Sequence, residues 1–189
     1  MIDPKIVNET KVIFGPCRLS YTHVFEKYVQ DGEKPEDAKF QTNVLIPKSE
    51  KKTIEAIKKA IEAAKKSAIV AKWGGKEPKK LENSPLRDGD DKDDEVYEDH
   101  YFINPKSKTR PGVVDKKCVP IVDEEEIYSG VWAIVSVTFY GYDAKGKKGI
   151  TCGLNNIMKF KDDDHLGGRV SAESDFGGMG FDDEDDEDL

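Results

Sequence analysis

Residues 130–142, Gly-Val-Trp-Ala-Ile-Val-Ser-Val-Thr-Phe-Tyr-Gly-Tyr, form the most regular stretch of the chain. Apolar side chains occupy every second position from Val131 to Phe139, which is the period of a β-strand with one buried face. The polar turn at 143–148 then leads into a second extended segment at Gly149–Lys161. Together these segments predict a long β-hairpin.

Upstream segments predict more β-structure around one helix. Strands are expected at Lys11–Phe25, with a bend at Gly15-Pro16, and at Phe40–Ile46. An α-helix is expected from an N-cap at Ser49 to about Lys72, because apolar residues recur there at helical spacing. These residues are Ile54, Ile57, Ile61, Ala64 and Ala68. Strands with one intervening helix favour a mainly β fold, a small β-barrel of the OB-fold type, although the order also allows other α+β arrangements.

The charges of the chain are segregated. The 189 residues carry a net charge of -8, from 30 Lys and Arg against 38 Asp and Glu. Asp162–Asp188 holds 12 acids and one base, and Asp88–Asp99 holds eight acids and one base. The rest of the chain therefore holds 28 bases and 18 acids, a net of +10. A basic body with two acidic appendages indicates a polyanionic partner such as nucleic acid.

The C-terminal segment predicts a solvated tail. Seven consecutive carboxylates follow a Gly-rich stretch, and such a run repels itself and cannot pack into a core. We therefore expect a folded domain at 1–166 and a flexible, disordered tail at 167–189. This tail would compete with nucleic acid for a groove in the body or bind a basic protein. Its candidate residues are Phe181, Asp182, Asp183, Glu184, Asp185, Asp186, Glu187 and Asp188.

The outer face of the 130–142 strand is unusual for solvent because it carries aromatic rings beside hydroxyls. Nucleobases stack on such rings in any sequence, at about 1–3 kcal/mol per base. The candidate rings are Trp132, Tyr140 and Tyr142, with Tyr21 on the first strand. The same rings would equally suit a second core against the helix, and the pattern leaves both readings open.

Cations flank these rings in sequence and suit sequence-independent contacts with phosphates. The candidates are Arg18, Lys106, Lys108, Arg110, Lys145 and Lys147. A single lysine is more often a solvated surface residue, so the cluster carries more weight than its members.

No motif indicates catalysis, a metal or another cofactor. The phosphate-binding loop, His-Glu-x-x-His and Gly-x-Ser-x-Gly are absent from the sequence. The acidic block resembles a calcium loop only superficially, because Asp93 stands where glycine is required, so a solvated loop is expected. Cys17, Cys118 and Cys152 are odd in number and widely spaced, which predicts buried free thiols rather than disulfides or a zinc site.

The sequence also bears on location. No apolar run approaches the 18 or so residues of a membrane span, and the first residues have no signal-peptide pattern. We therefore expect a protein of a reducing cytoplasm with no membrane partner. The sequence leaves a homo-oligomer open.

Five motifs occur in the order known from one protein family. The chain resembles the tailed-phage single-stranded-DNA-binding proteins, first catalogued as a domain of unknown function, over about residues 8–168. The motifs are Arg18-Leu-Ser-Tyr21 with Phe25, Phe40 leading to Leu45-Ile-Pro-Lys48, Pro85-Leu-Arg-Asp-Gly-Asp90, Tyr101-Phe-Ile-Asn104 with Ser107–Asp115, and Gly153-Leu-Asn-Asn156 with Leu166-Gly-Gly168.

The resemblance implies an OB-fold and sequence-independent binding of single-stranded DNA. It also implies a role in phage DNA replication, recombination or repair in the cytoplasm of the infected bacterium. The acidic tail would moderate DNA binding and recruit replication or recombination proteins. One departure concerns the chain end, which is Leu189, whereas Phe176 and Phe181 precede the acidic run. A partner pocket for a terminal aromatic residue is therefore not expected.

Two alternatives follow from the same residues. One is an interaction adaptor, whose barrel binds a protein and whose tail mimics DNA toward a basic replication enzyme. The other is a metal-dependent nuclease using Asp88, Asp90 and Asp94, which the loop-like composition of that segment disfavours.

Overall fold

The computed structural model describes residues 1–82 and 84–167. Within them, the chain forms nine β-strands and one α-helix, α1 (Lys51–Ala71). The strands are β1 (Lys5–Ile6), β2 (Lys11–Tyr28), β3 (Lys39–Pro47), β4 (Arg87–Asp88), β5 (His100–Ile103), β6 (Lys106–Ser107), β7 (Gly112–Val114), β8 (Trp132–Ala144) and β9 (Lys147–Lys161). Short 3-10 helices lie at Pro35–Asp37, Gly89–Asp91, Glu95–Tyr97 and Glu124–Glu126. The predicted tail lies outside the described residues, apart from Gly167.

The sheet closes on itself, so the predicted barrel with one helix is confirmed. The long strand β2 is antiparallel to β3 on one side and to β8 on the other. β8 and β9 form the predicted hairpin. β9 then runs parallel to β6 and β7, and β6 is antiparallel to β3, which completes the circuit. β5 and β4 extend the sheet beyond β3.

The alternation of β8 defines the core as predicted. The side chains of Val131, Ala133, Val135, Val137 and Phe139 are all buried inside the barrel. α1 closes one end of the barrel with a face of small and branched side chains, of which Ile57 and Ala68 are buried and Ile61 is half-buried. No helix in the described part of the chain is long and apolar enough to cross a membrane.

The end of α1 is joined to the free edge of β8. Beyond Phe139, no strand in residues 1–82 and 84–167 pairs with this edge on the β2 side. Two side chains take the place of a strand: Lys72 Nζ donates to the carbonyl of Gly141 (2.7 Å) and Trp73 Nε1 to that of Tyr142 (3.1 Å). Gly141 is required here, because a Cβ would collide with Ala68 of the helix.

The bend predicted in the first strand is present. The register between β2 and β8 shifts between Phe14 and Cys17. Gly15 has a φ of 140°, and a Cβ on it would lie 2.8 Å from the carbonyl oxygen of Ala133. Because only glycine combines that φ with so close an approach, Gly15 sets the point at which β2 turns around the barrel.

Three local predictions need correction. The helix begins one residue later than expected, with Glu50 rather than Ser49 at the N-cap and no side-chain cap, because a turn from Pro47 to Glu50 precedes it. The first strand extends past Phe25 to Tyr28. Cys17 and Cys152 are buried as predicted, but Cys118 is exposed, since it lies at positive φ in a tight turn after Asp115.

The acidic block is not a simple solvated loop. Tyr97 from its middle is completely buried against Leu45 and Phe102, in a small second core on the outside of β3. The carboxylates of Asp88 and Asp90 both contact the Lys48 ammonium, at 2.6 and 2.5 Å. One buried ring and one shared cation therefore dock a segment whose composition suggested only solvent.

Candidate nucleic-acid interface

A polar groove crosses the outer surface of the barrel. It consists of two adjoining depressions of about 440 and 230 Å³ that share Arg87, Asn104 and Lys106. We call this surface the groove. The first depression is completed by Tyr21, His23, Tyr28, Gln30, Gln41 and Asn43, and the second by Ser84, Pro85, Tyr142, Ile150, Thr151 and Cys152.

The centre of the groove carries cations that no carboxylate neutralises closely. Within residues 1–82 and 84–167, no carboxylate lies within 4.0 Å of the Arg87 guanidinium or the Lys106 ammonium. Burial lowers the pKa of Lys106, and the neighbouring charges of Lys39 and Arg87 lower it further, against a smaller opposing effect of Glu33. A phosphate placed here would relieve the repulsion among these cations.

Aromatic rings line one end of the groove. Tyr21 is 57% exposed and Tyr28 is 41% exposed. His23 stacks on Tyr28, with ring centroids 4.5 Å apart. Lys92, from the acidic segment, reaches over Tyr21 with its ammonium 5.5 Å from the ring centroid. Rings this exposed at the wall of a cationic groove are suited to stacking on bases.

The floor of the groove is built from amide side chains that bind one another. Asn104 Nδ2 donates to Asn43 Oδ1 (2.6 Å), and Asn43 Nδ2 donates to the hydroxyl of Tyr97 (2.7 Å). Through Tyr97, the docked acidic segment therefore orients the amides that form the floor of the groove. Much of the hydrogen-bonding capacity of these amides is used inside the protein rather than offered to base edges.

The other end of the groove is formed by the β8–β9 hairpin. Tyr142 lies over Gly149 and Tyr140 over Gly153: a Cβ on Gly149 would fall 2.9 Å from the Tyr142 ring, and one on Gly153 would fall 3.2 Å from the Tyr140 ring. The tyrosines therefore lie across the neighbouring strand. Tyr142 lines the groove, and Tyr140 lies beside it, 45% exposed, with Lys72 5.6 Å from its ring centroid.

The predicted loop cations surround the groove at a distance. Lys145 and Lys147 are exposed at the tip of the hairpin, a few residues beyond Tyr142. Lys108 and Arg110 are exposed in the connection between β6 and β7. The Arg110 guanidinium lies 5.1 Å from the ring centroid of Phe25.

Arg18 and Trp132 lie on a different surface, which the chain itself covers. Asp163 accepts a hydrogen bond from Trp132 Nε1 (2.6 Å) and lies 3.7 Å from the Arg18 guanidinium. Arg18 also donates to the carbonyl of Asp164 (2.7 Å). The hydrogen bond from Trp132 and the charge of Arg18 hold the pKa of Asp163 below its usual range.

The covering segment, Asp162–Leu166, is called the strap. Asp162 pairs with Lys159 at 2.8 Å and accepts a hydrogen bond from Tyr128. Both contacts lower the pKa of Asp162, the one with Lys159 more strongly. His165 stacks on Tyr128 with 4.1 Å between ring centroids, and Leu166 packs against the cluster of Leu45, Tyr97 and Phe102. The surface beneath it, called the strapped patch, comprises Arg18, Tyr128, Trp132, Lys159 and Lys161.

The structure thus divides the predicted site residues. Tyr21, Lys106 and Tyr142 line the groove, and Tyr140 adjoins it. Trp132 is separated from Tyr140 by eight residues of strand, about 26 Å at 3.3 Å per residue, and does not share their platform. Sequence reasoning missed several lining residues, namely His23, Tyr28, Gln41, Asn43, Arg87 and Asn104. Arg87 and Asn104 stand in motifs that carried the family resemblance, which was the available signal.

The acidic side chains proposed for a nuclease do not form a common centre. Asp88 and Asp90 contact Lys48, whereas Asp94 accepts a hydrogen bond from the backbone N–H of Val96. Among the residues that the structure describes, no group of three or more His, Cys, Asp or Glu side chains is placed to hold a metal ion.

Comparisons with known proteins identify the family of the chain. The sequence model of the family described as Enterobacter phage Enc34, ssDNA-binding protein, matches residues 10–189. Putative protein p50 of Acyrthosiphon pisum secondary endosymbiont phage 1 is 33% identical over 176 residues, which is 88% of this chain and 92% of that protein.

Solved structures share the fold. The single-stranded DNA-binding protein from bacteriophage Enc34, in complex with ssDNA, superposes with a TM-score of 0.72 at 27% identity, over 87% of this chain and 94% of that one. Gp2.5, a single-stranded DNA binding protein encoded by bacteriophage T7, has a TM-score of 0.60 at 15% identity, over 85% of this chain and 97% of that one. At that identity, the likeness to gp2.5 shows the fold alone.

These comparisons confirm the OB-type barrel and the resemblance seen in the motifs. The expectation of a non-catalytic protein is also confirmed, since the family and its solved member are described as binding proteins. The chain belongs to the family of the single-stranded-DNA-binding protein of Enterobacter phage Enc34.

Proposed function

We propose that this protein binds single-stranded DNA in the groove, without sequence preference. The observation that carries the proposal is the cluster of Arg87, Lys106 and Lys39, where burial and like charge depress the pKa of Lys106. Cations held together without a close carboxylate favour an incoming polyanion, since each phosphate contact relieves repulsion and releases counterions. The solved Enc34 protein is described in complex with ssDNA, which supports the same assignment for this relative.

The lining of the groove favours binding that tolerates any sequence. Stacking on Tyr21, Tyr28 and Tyr142 would contribute about 1–3 kcal/mol per base whatever the base. The amides of Asn43 and Asn104 are engaged with each other and with Tyr97, so these two floor residues have little capacity left to read base edges.

The residues at the two ends of the groove define a path for the DNA. The DNA strand would enter at Tyr28, pass Lys106 and Arg87 at the centre, and leave beside Tyr142 beneath the hairpin. Loop cations at Lys108, Arg110, Lys145 and Lys147, with Tyr140, would add phosphate and ring contacts outside the two depressions. Such mobile surface lysines contribute charge rather than geometry.

The acidic tail would compete with DNA for this groove and recruit proteins. Leu166 packs beside Leu45 and Tyr97, at the wall that the groove shares with the docked acidic segment. The chain therefore leaves the barrel next to the groove, within reach for the carboxylates of Asp182–Asp188. In this role the protein would serve phage DNA replication, recombination or repair in the cytoplasm of the infected bacterium, with basic replication or recombination proteins as partners.

The test is a fluorescence-anisotropy titration of labelled oligo-dT across a salt series, with the intact chain and with a chain ending at Gly180. We expect tight, salt-sensitive binding that strengthens when the tail is removed. Unchanged or weaker binding by the shortened chain would overturn the competition. No binding by either chain would overturn the proposal and favour an adaptor whose tail mimics DNA.

A further inference from the structure

The strap presents to the strapped patch the groups that a nucleic acid strand would present. Its carboxylate at Asp163 is placed on the Arg18 guanidinium and on the indole N–H of Trp132. Its carboxylate at Asp162 meets the Tyr128 hydroxyl and the Lys159 ammonium. The imidazole of His165 lies flat on the Tyr128 ring, with an angle of 14° between the planes, as a stacked base would.

We propose that the strapped patch is a second subsite for single-stranded nucleic acid, which the strap fills until a longer strand displaces it. The proposal rests on the proposed function, since the groove must first hold the strand. The ligand is a phosphodiester chain with unpaired bases, whose phosphates replace the strap carboxylates and whose base replaces the ring of His165.

The patch and the groove are close enough to share one strand. Arg18 and Tyr21 stand three residues apart in β2, which is about 10 Å along a strand. Leu166, at the end of the strap, packs against Tyr97 of the acidic segment, and Lys92 of the same segment reaches over Tyr21. A DNA strand that continues past Tyr21 would therefore reach the strap.

The strap is held by contacts that an incoming strand can replace. The Arg18 side chain is 26% exposed and that of Asp163 is 36% exposed, so their ion pair is partly screened by water. Lys161 lies over the Trp132 ring at 5.0 Å, and no carboxylate in the described residues comes within 4.0 Å of its ammonium. This cation can bind the first phosphate before the strap has moved.

Trp132 reports the displacement directly. The chain has two tryptophans, and Trp73 is 4% exposed at the end of α1. We would titrate the full-length protein with oligo-dT from about 4 to about 16 nucleotides, the range of site sizes for OB folds, and with lengths about twice that. Anisotropy of the labelled oligonucleotide measures binding, and tryptophan fluorescence measures occupation of the patch. The fluorescence change should be absent for short oligonucleotides and present for long ones, and lost in Trp132→Phe.

Two variants test the assignment from opposite sides. Asp163→Asn keeps an oxygen for the Trp132 N–H but removes the charge on Arg18, so Kd for long oligonucleotides should tighten by about threefold to tenfold. Lys161→Gln should weaken binding of long oligonucleotides by a similar factor. Neither should change Kd for the shortest oligonucleotides that bind. Glu62→Gln, on the exposed face of α1, is the matched charge control and should leave Kd unchanged for both long and short oligonucleotides.

The outcomes separate this proposal from the one on which it rests. Binding by anisotropy with no change in Trp132 fluorescence at any length would overturn the second subsite and leave the groove intact. Equal effects of Asp163→Asn and Glu62→Gln would do the same, because they would reduce the strap to a generic negative charge. A complete absence of oligonucleotide binding would instead overturn the proposed function.

Discussion

The groove and the strapped patch use the same kinds of residue, yet two of the patch's three cations contact carboxylates, whereas the cations at the centre of the groove contact none in the described part of the chain. In the patch, Arg18 and Lys159 each contact carboxylates, and the indole of Trp132 donates to Asp163. In the groove, burial and the nearby charges of Lys39 and Arg87 lower the pKa of Lys106. The comparison teaches that an arginine beside an aromatic ring is directly available to a ligand only where tertiary structure leaves its charge uncompensated, whereas at a compensated arginine the ligand must first displace a carboxylate.

Removal of the uncompensated charges should have the largest effect on DNA binding. The double substitution Arg87→Gln and Lys106→Gln should weaken binding of a short oligo-dT by about a hundredfold at low salt, because each lost phosphate contact costs about tenfold there. The slope of log K against log salt should become shallower by about 1.4, or about 0.7 per contact with a single strand. Anisotropy titrations across a salt series measure both quantities.

Two controls sharpen that comparison. Lys159→Gln removes a cation that already contacts two carboxylates, and Lys66→Gln removes an exposed cation on α1. Both should leave short-oligonucleotide affinity within about twofold, since compensated or remote charges contribute little. If Lys159→Gln weakened binding as much as the groove substitutions, the distinction between the two regions would be lost.

Loss of a groove ring should have a smaller effect with a different signature. Tyr28→Ala removes an exposed ring from the groove entrance and should weaken binding by about fivefold to tenfold, the lower part of the range for one stacked base. The salt slope should stay unchanged, because no charge is removed. Isothermal titration calorimetry with oligo-dT gives the affinity, and a salt series gives the slope. A change in slope equal to that of a lysine substitution would contradict a stacking role.

The smallest effect concerns pH. Burial and like charge lower the pKa of Lys106, so its ammonium loses the proton at a lower pH than an exposed lysine does. A bound phosphate favours the ammonium, and binding therefore takes up a proton above the depressed pKa. Affinity should fall as pH rises toward the ordinary lysine range, by about threefold between pH of about 7.5 and about 9.5.

Lys106→Arg is the control for the pH effect, since a guanidinium keeps its charge throughout this range. Its affinity should be flat where that of the wild-type chain falls. A wild-type profile as flat as that of Lys106→Arg, measured by anisotropy at constant ionic strength, would show that the lysine is fully charged in the groove.

The sequence predicts the strands and the helix better than it predicts which surface charges are compensated. The period of β8 identified its buried face because alternation depends only on local geometry, and Gly15 marked the bend for the same reason. The contact of Arg18 with Asp164 joins residues 146 positions apart, and no local pattern indicates it. Arg87 reaches Lys106 only because β4 pairs with β5, and β5 and β6 both pair with β3.

The acidic segment illustrates a second limit. Its composition predicts solvation, but the burial of Tyr97 and the shared contact with Lys48 outweigh the charge repulsion of its neighbours. The available signal was Tyr97, an aromatic residue within the acidic run, and an argument from the composition of the whole segment gives one residue little weight. Tyr28 is a groove residue that the sequence did not indicate, because β2 continues three residues past its predicted end, and His23, inside the predicted strand, stacks on it.

The hydrogen bonds from Lys72 and Trp73 to the carbonyls of β8 also govern how copies of the protein behave toward one another. An unpaired strand edge is a template on which another chain can add a strand, and so a starting point for aggregation. Here two side chains from the end of the helix occupy the carbonyls of Gly141 and Tyr142. Copies crowded along one nucleic acid strand would therefore be less prone to join their sheets at this edge.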